Sequence, residues 1–90
     1  MFWVYVLRSM KDGRLYKGLT GDVDKRLAQH NKGENRSTKG FRPWKLVFQK
    51  SFPTREEARK YEVYLKSGSG REELKRKIRL RGANLPGRSG

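Results

Sequence analysis

The sequence predicts an α+β domain, a small three-stranded antiparallel sheet flanked by helices, and three observations lead to it. Residues 2–7, FWVYVL, are apolar on both alternating faces, meet Asp12-Gly13 and return over residues 14–18, which describes a hairpin whose first strand is covered on both sides. A second apolar alternation, WKLVFQK at 44–50, supplies a third strand. Helical stripes behind polar caps occupy the intervening and following segments, so the order is strand, strand, helix, strand, helix, helix.

Pairing across Asp12-Gly13 sets Ser9 opposite Tyr16, and parity then puts Tyr5 on the same face as Tyr16. A slip of one residue would separate the two tyrosines, whereas a slip of two keeps them together. Thr20 or Asp22 caps a helix running to about Asn31, with Asp22 and Asp24 in its first turn and Gly33 just past its end. Val23 and Leu27 form its apolar stripe, and Arg26 and His30 fall on one edge of that stripe.

Residues 32–43, KGENRSTKGFRP, have loop composition. In the third strand Trp44, Leu46 and Phe48 alternate against Lys45, Val47 and Gln49, so one face is expected to be the more buried, and Pro53 ends the strand. TREEARKYEVYLK opens with a capping box, Thr54 with Glu57, and continues as a helix to about Lys66. With Ala58 at the centre of the apolar face, Leu65 falls at about −20°, Tyr61 at about −60° and Glu62 at about +40°. A carboxylate inside an apolar stripe is costly unless it is paired, hydrogen-bonded or metal-bound, which makes Glu62 the most informative anomaly in the chain. Ser69 with Glu72 forms a second capping box before a short helix that packs through Leu74 and Ile78. From Arg81 onward RGANLPGRSG lacks periodicity, so the expected division is a domain at 1–80 and a flexible basic tail at 81–90.

Ninety residues suffice for one modest core, so any function shares a single compact surface. The 23 Lys and Arg against 9 Asp and Glu give a net charge of +14 and point to a polyanionic partner, nucleic acid first. No apolar run is long enough to span a bilayer and the N-terminus has no signal-like core, so a soluble cytoplasmic protein without a membrane partner is expected. The absence of cysteine excludes disulfides, zinc ribbons, thiolate nucleophiles and iron–sulfur clusters. A single histidine excludes a multi-histidine metal site, and any bound metal must be hard and carboxylate-held.

Each candidate has an ordinary explanation when taken alone. Tyr5 and Tyr16 suit a core, Arg26 a solvated helix face, His30 a helix C-terminus, and Glu62 a salt bridge to Arg26. Together they supply what phosphodiester hydrolysis needs: groups to activate a water, a cation for the phosphate and a carboxylate for a metal. In this arrangement the chain resembles the GIY-YIG nuclease superfamily, in particular its small stand-alone bacterial members similar to the nuclease domain of the excision-repair incision subunit. Trp3-Val4-Tyr5 stands for the first triplet and Tyr16-Lys17-Gly18 for the second. Arg26 and His30 follow in KRLAQH, Glu62 in ARKYEVYLK, and LKSGSGREEL looks like the usual ending of the short members. The triplets depart from the family name at Trp3, Val4 and Lys17, and the asparagine that many members carry after the glutamate has no clear counterpart among Leu74, Lys75, Arg76 and Lys77.

The resemblance implies a DNA endonuclease using one magnesium or manganese ion in a one-step in-line hydrolysis. It implies Tyr5 as general base, Tyr16 as orienter of the water or phosphate, Arg26 on the scissile phosphate, Glu62 as metal ligand and an auxiliary role for His30. A phenol with a pKa near 10 is a weak base at pH 7, so cations such as Lys17, Arg26 and the metal are expected to lower it. Lys17, Lys32, Arg36, Lys39, Arg42, Lys45, Arg71 and Lys75 are the expected DNA contacts, and Phe41 or Trp44, if exposed, could stack on bases. The expected state is a monomer or at most a homodimer. A non-catalytic nucleic-acid-binding module is the rival from another class, and it leaves Glu62 on an apolar face without a purpose.

Overall fold

The computed structural model describes residues 1–84 and contains β1 (Phe2–Ser9), β2 (Leu15–Thr20), α1 (Val23–Lys32), α2 (Arg36–Lys39), β3 (Trp44–Phe52), α3 (Arg55–Leu65) and α4 (Gly68–Asn84). The three strands form one antiparallel sheet in the order β2-β1-β3. Central β1 is why FWVYVL is apolar throughout: Val4 and Val6 face one helical layer while Tyr5 and Leu7 face the other. On the first side Val4, Val6 and Phe48 pack with Ala58 and Leu65 of α3 and Leu74 and Ile78 of α4. On the second, Tyr5, Leu7 and Trp44 pack with Val23 of α1, joined by Tyr16 and Leu27.

The hairpin register differs by two residues from that expected of a two-residue Asp12-Gly13 turn. Leu7, and not Ser9, lies opposite Tyr16, and Tyr5 lies opposite Gly18. Ser9 causes the shift: its hydroxyl accepts from the Lys11 and Asp12 amides and donates to the Phe41 carbonyl, winding residues 10–13 into a longer loop closed by Gly13 at φ 81°. An even shift preserves parity, so the two tyrosines stay on one face.

β3 corrects the simple alternation. A bulge between the partners of Val6 and Leu7 pairs Val6 with Phe48 but Leu7 with Leu46, leaving Val47 as the extra residue. Trp44 and Leu46 therefore join the α1 side, and Val47 and Phe48 join the α3 side. The strand serves both cores because helices cover both faces of the sheet.

The capped ends follow from local chemistry. Asp22 accepts from the Lys25 amide at 3.1 Å, Thr20 accepts from the Asp22 amide at 3.1 Å, and Gly33 closes α1 at φ 82°. Thr54 caps α3 through the Glu57 amide at 3.2 Å. α4 begins earlier than the Ser69 box suggests, because the Ser67 hydroxyl takes the Gly70 amide at 3.1 Å. It also continues to Asn84, four residues into the expected tail: Gly82 is accommodated within it, and the next proline in the sequence is Pro86. The rest of that expected tail, 85–90, lies outside the described residues. Segment 32–43 holds a single helical turn, α2, capped by Asn35 accepting from the Ser37 amide at 3.0 Å, and four residues are too few to carry a helical period. Among the described residues no helix is long and apolar enough to cross a membrane.

Candidate active site

β2 parity aims Tyr16 at α1, and the pairing of Tyr5 with Gly18 lets the Tyr5 ring lie across the neighbouring strand. A Cβ at Gly18 would overlap that ring and its hydroxyl, so glycine is the seat of the phenol. The Tyr5 hydroxyl thereby reaches α1, where its oxygen and His30 Nε2 form a hydrogen bond of 3.1 Å. The ring centroids of Tyr16 and His30 are 4.9 Å apart and those of Tyr5 and Tyr16 6.3 Å, so the three rings form one cluster.

His30 is more deeply placed than an edge position suggested: it is 0 % exposed, and Tyr5 and Thr38 are each 1 % exposed. The burial is completed by α2. Thr38 Oγ1 lies 2.8 Å from His30 Nδ1 and 3.3 Å from the Asn35 carbonyl oxygen, while the Trp44 indole N–H donates to the Thr38 carbonyl at 2.9 Å. Asn31 fastens the same corner, accepting from the Trp44 amide at 2.6 Å and donating to the Trp44 carbonyl at 3.0 Å. The sequence reading missed Thr38, Asn35 and Asn31, and the available signal was the Asn35 cap three residues before Thr38.

Arg26 lies one turn before His30, half-buried, and its guanidinium donates to Gln29 Oε1 at 2.9 Å. With Gln29, Glu34, Asn35 and Arg36 it lines an open cleft of ≈ 400 Å³ beside the buried cluster. Burial pushes the Tyr5 hydroxyl above its ordinary pKa; Arg26 opposes this, and Tyr16 and Glu62 reinforce it. The expected lowering of the phenol is therefore not found in the protein alone. Burial, then Arg26, holds His30 below its usual pKa and keeps the imidazole neutral.

Glu62 comes from α3, on the other layer, and its charge is felt at Tyr5 as the smallest of the five effects. Its side chain is only 15 % exposed and its ion partner is Lys66 at 3.7 Å, while Arg26 is engaged by Gln29. No cluster of three or more His, Asp or Glu capable of holding a metal occurs among the described residues. A lone half-buried carboxylate suits a hard divalent ion that keeps water and takes further oxygens from a phosphate, and it does not suit an ion caged by protein alone.

Lys17 points away from the tyrosines, as its odd parity requires, into the layer with Arg71 and Lys66; burial and then those two charges lower its pKa. It does not act on Tyr5. The remaining expected contacts are exposed in two groups, Lys32, Arg36, Lys39, Arg42 and Lys45 around the α1–α2 corner and the start of β3, and Arg71 and Lys75 on α4. Of all eight, only Lys75 forms an ion pair among the described residues, to Glu72 at 3.9 Å. Trp44 is core, and the Phe41 ring is capped by the Arg14 guanidinium at 3.6 Å, so neither presents an open face for a base.

Comparison with known proteins gives the family. The family model of the GIY-YIG catalytic domain matches residues 1–77. A UPF0213 protein of Staphylococcus saprophyticus is 40% identical over 74 residues, covering 81% of this chain and 89% of that protein. A UPF0213 protein of Halalkalibacterium halodurans is 41% identical over 71 residues, covering 78% of this chain and 74% of that protein. The solution NMR structure of a UPF0213 protein from Bacillus halodurans is 40% identical, covers 82% of each chain and superimposes with a TM-score of 0.49. Both triplet tyrosines on one wall, an arginine and a histidine from α1 against them, and a family match over nearly all of the described residues make this chain a member of the GIY-YIG nuclease family, with nucleic acid as its class of substrate.

Proposed function

We propose that the protein is a DNA endonuclease that hydrolyses a phosphodiester by one-step in-line attack of water, in DNA repair or processing in the cytoplasm at the nucleoid. The observation that carries this reading is the 3.1 Å hydrogen bond between Tyr5 and a fully buried, neutral His30, with Arg26 alongside. A phenol whose pKa is raised is a poor phenolate base, but it needs no prior ionisation if it passes its own proton on as it receives another. Tyr5 takes a proton from the attacking water while its hydroxyl proton moves to His30. The water oxygen bonds to phosphorus, and the bond to the 3′ oxygen breaks, the departing oxygen taking a proton from solvent. Tyr5 is 1 % exposed, so the water gains access as the adjacent Arg26 side chain moves onto the scissile phosphate and leaves Gln29. Tyr16, the more exposed of the two phenols, orients the water or the phosphate. Glu62 would hold one Mg2+ or Mn2+, which when bound supplies Lewis-acid stabilisation of the phosphate and leaving oxygens.

The basic side chains lie in two exposed groups, one at the α1–α2 corner beside this wall and one on α4, and no base-reading element is evident among the described residues, which favours structure-selective or weakly sequence-selective cleavage. Single-stranded, duplex and branched DNA incubated with the protein and manganese should be cut, and EDTA should stop it. Arg26→Ala and Glu62→Gln should each lower the rate by about 10²–10³-fold with the fold intact by circular dichroism. A Glu62→Gln protein as active as the wild type overturns the metal site. Identical products from every protein and the DNA-only control would instead leave a basic nucleic-acid-binding module.

A further inference from the structure

The buried cluster contains more hydrogen-bonding order than the proposed reaction uses. Three protons must be distributed along Tyr5 Oη, His30 Nε2, His30 Nδ1, Thr38 Oγ1 and the Asn35 carbonyl oxygen, joined by contacts of 3.1, 2.8 and 3.3 Å. All three side chains are at most 1 % exposed, so water cannot absorb a misplaced proton. If Nε2 carried the imidazole proton, the Tyr5 oxygen would accept it and the Tyr5 O–H would need another acceptor. Of the other groups that act on that oxygen, Arg26 is a donor only, and neither the Tyr16 hydroxyl nor the Glu62 carboxylate forms a hydrogen bond with it among the described residues. The opposite assignment satisfies every donor: Tyr5 O–H to Nε2, Nδ1–H to Thr38 Oγ1, and the Thr38 O–H to the Asn35 carbonyl.

We infer that Thr38 is a positioning residue that holds His30 in its Nδ1-protonated tautomer and turns the Nε2 lone pair toward Tyr5, giving the Tyr5 proton a single exit. Thr38 is itself held, its carbonyl by the Trp44 indole and its helical turn by the Asn35 cap. In the proposed reaction Tyr5 gains the water's proton as its own passes to Nε2, forming an imidazolium that donates from Nδ1 to Thr38 and from Nε2 to Tyr5. That proton returns through Tyr5 to solvent after cleavage. The catalytic consequence rests on the nuclease reading; the tautomer does not.

His30 is the only histidine, so long-range proton–nitrogen NMR correlations of the 15N-labelled protein report this ring alone. The wild type should show Nδ1 protonated and Nε2 unprotonated, and the opposite pattern overturns the inference whether or not any variant folds. Thr38→Val keeps the shape but removes the acceptor and should shift the ring toward the Nε2-protonated form, whereas Thr38→Ser should keep the wild-type pattern. The Trp44 indole N–H resonance monitors folding. A valine variant with an unchanged tautomer, or a serine variant that behaves like valine, also overturns the inference. Cleavage should fall about 10–100-fold in kcat for Thr38→Val at unchanged KM and recover in Thr38→Ser, the range taken from metal-bound histidines that lose their hydrogen-bond partner. Full activity in a valine variant whose tautomer has changed removes the positioning role. The inferred tautomer in a wild type that cuts no DNA supports the tautomer and overturns the nuclease reading.

Discussion

At the scale of single residues the site depends on a neutral imidazole kept from water. Burial and Arg26 both depress the folded-state pKa of His30 below its unfolded value of about 6.5, so the unfolded chain binds the proton more readily. The stability contributed by neutral His30 is complete above that unfolded pKa. It declines as pH falls below it and levels off once the pH has passed the folded pKa. Urea midpoints measured from pH 8 to pH 5 should therefore fall with pH in the wild type and fall less in His30→Gln; equal slopes would show that the ring carries no such linkage. Strand parity and the α1 wheel revealed in the sequence that Tyr5, Tyr16, Arg26 and His30 share one wall. They did not reveal how far inside His30 lies, because its cover is Thr38 on a helix of four residues, below the length at which periodicity exists.

At the scale of elements, the α3–α4 corner holds Glu62 in place. Gly70 packs so closely that a Cβ there would overlap the Tyr64 carbonyl, a backbone group that cannot rotate away. Gly70→Ala should separate α3 from α4 and destabilise the protein by about 1–3 kcal/mol, the usual range for overpacking, read from its urea midpoint. Cleavage should weaken as well, since α3 carries Glu62; wild-type stability would mean that the corner relaxes freely. The strands, α1 and α3 and their caps at Asp22 and Thr54 were legible because each rests on chemistry within a few residues. The β3 bulge was not, since it answers to two helical layers that only the assembled sheet brings together. Nor was the Ser67 start of α4, where two serines compete and the Tyr64 carbonyl, which accepts from the Ser67 hydroxyl at 2.6 Å, favours the first.

At the scale of the molecule, a charge of +14 on 90 residues acts in opposite directions on folding and on binding. Raising salt from low to physiological strength screens self-repulsion, so the melting temperature of the free protein should rise. Over the same range its affinity for duplex DNA should fall, with a log–log slope of about −0.9 for each phosphate neutralised. Neutralising Lys32 and Arg36 to alanine should flatten that slope by roughly two contacts' worth. A slope unchanged by those substitutions would move the DNA path from the α1–α2 corner to the α4 side.

The Tyr5 ring resting on Gly18 also bears on heredity. Neither position can drift alone: a side chain at 18 evicts the phenol, and a smaller residue at 5 leaves a hollow over a glycine that weakens its strand. A change in either strand is therefore answered in the other, and positions 5 and 18 accept change only as a pair.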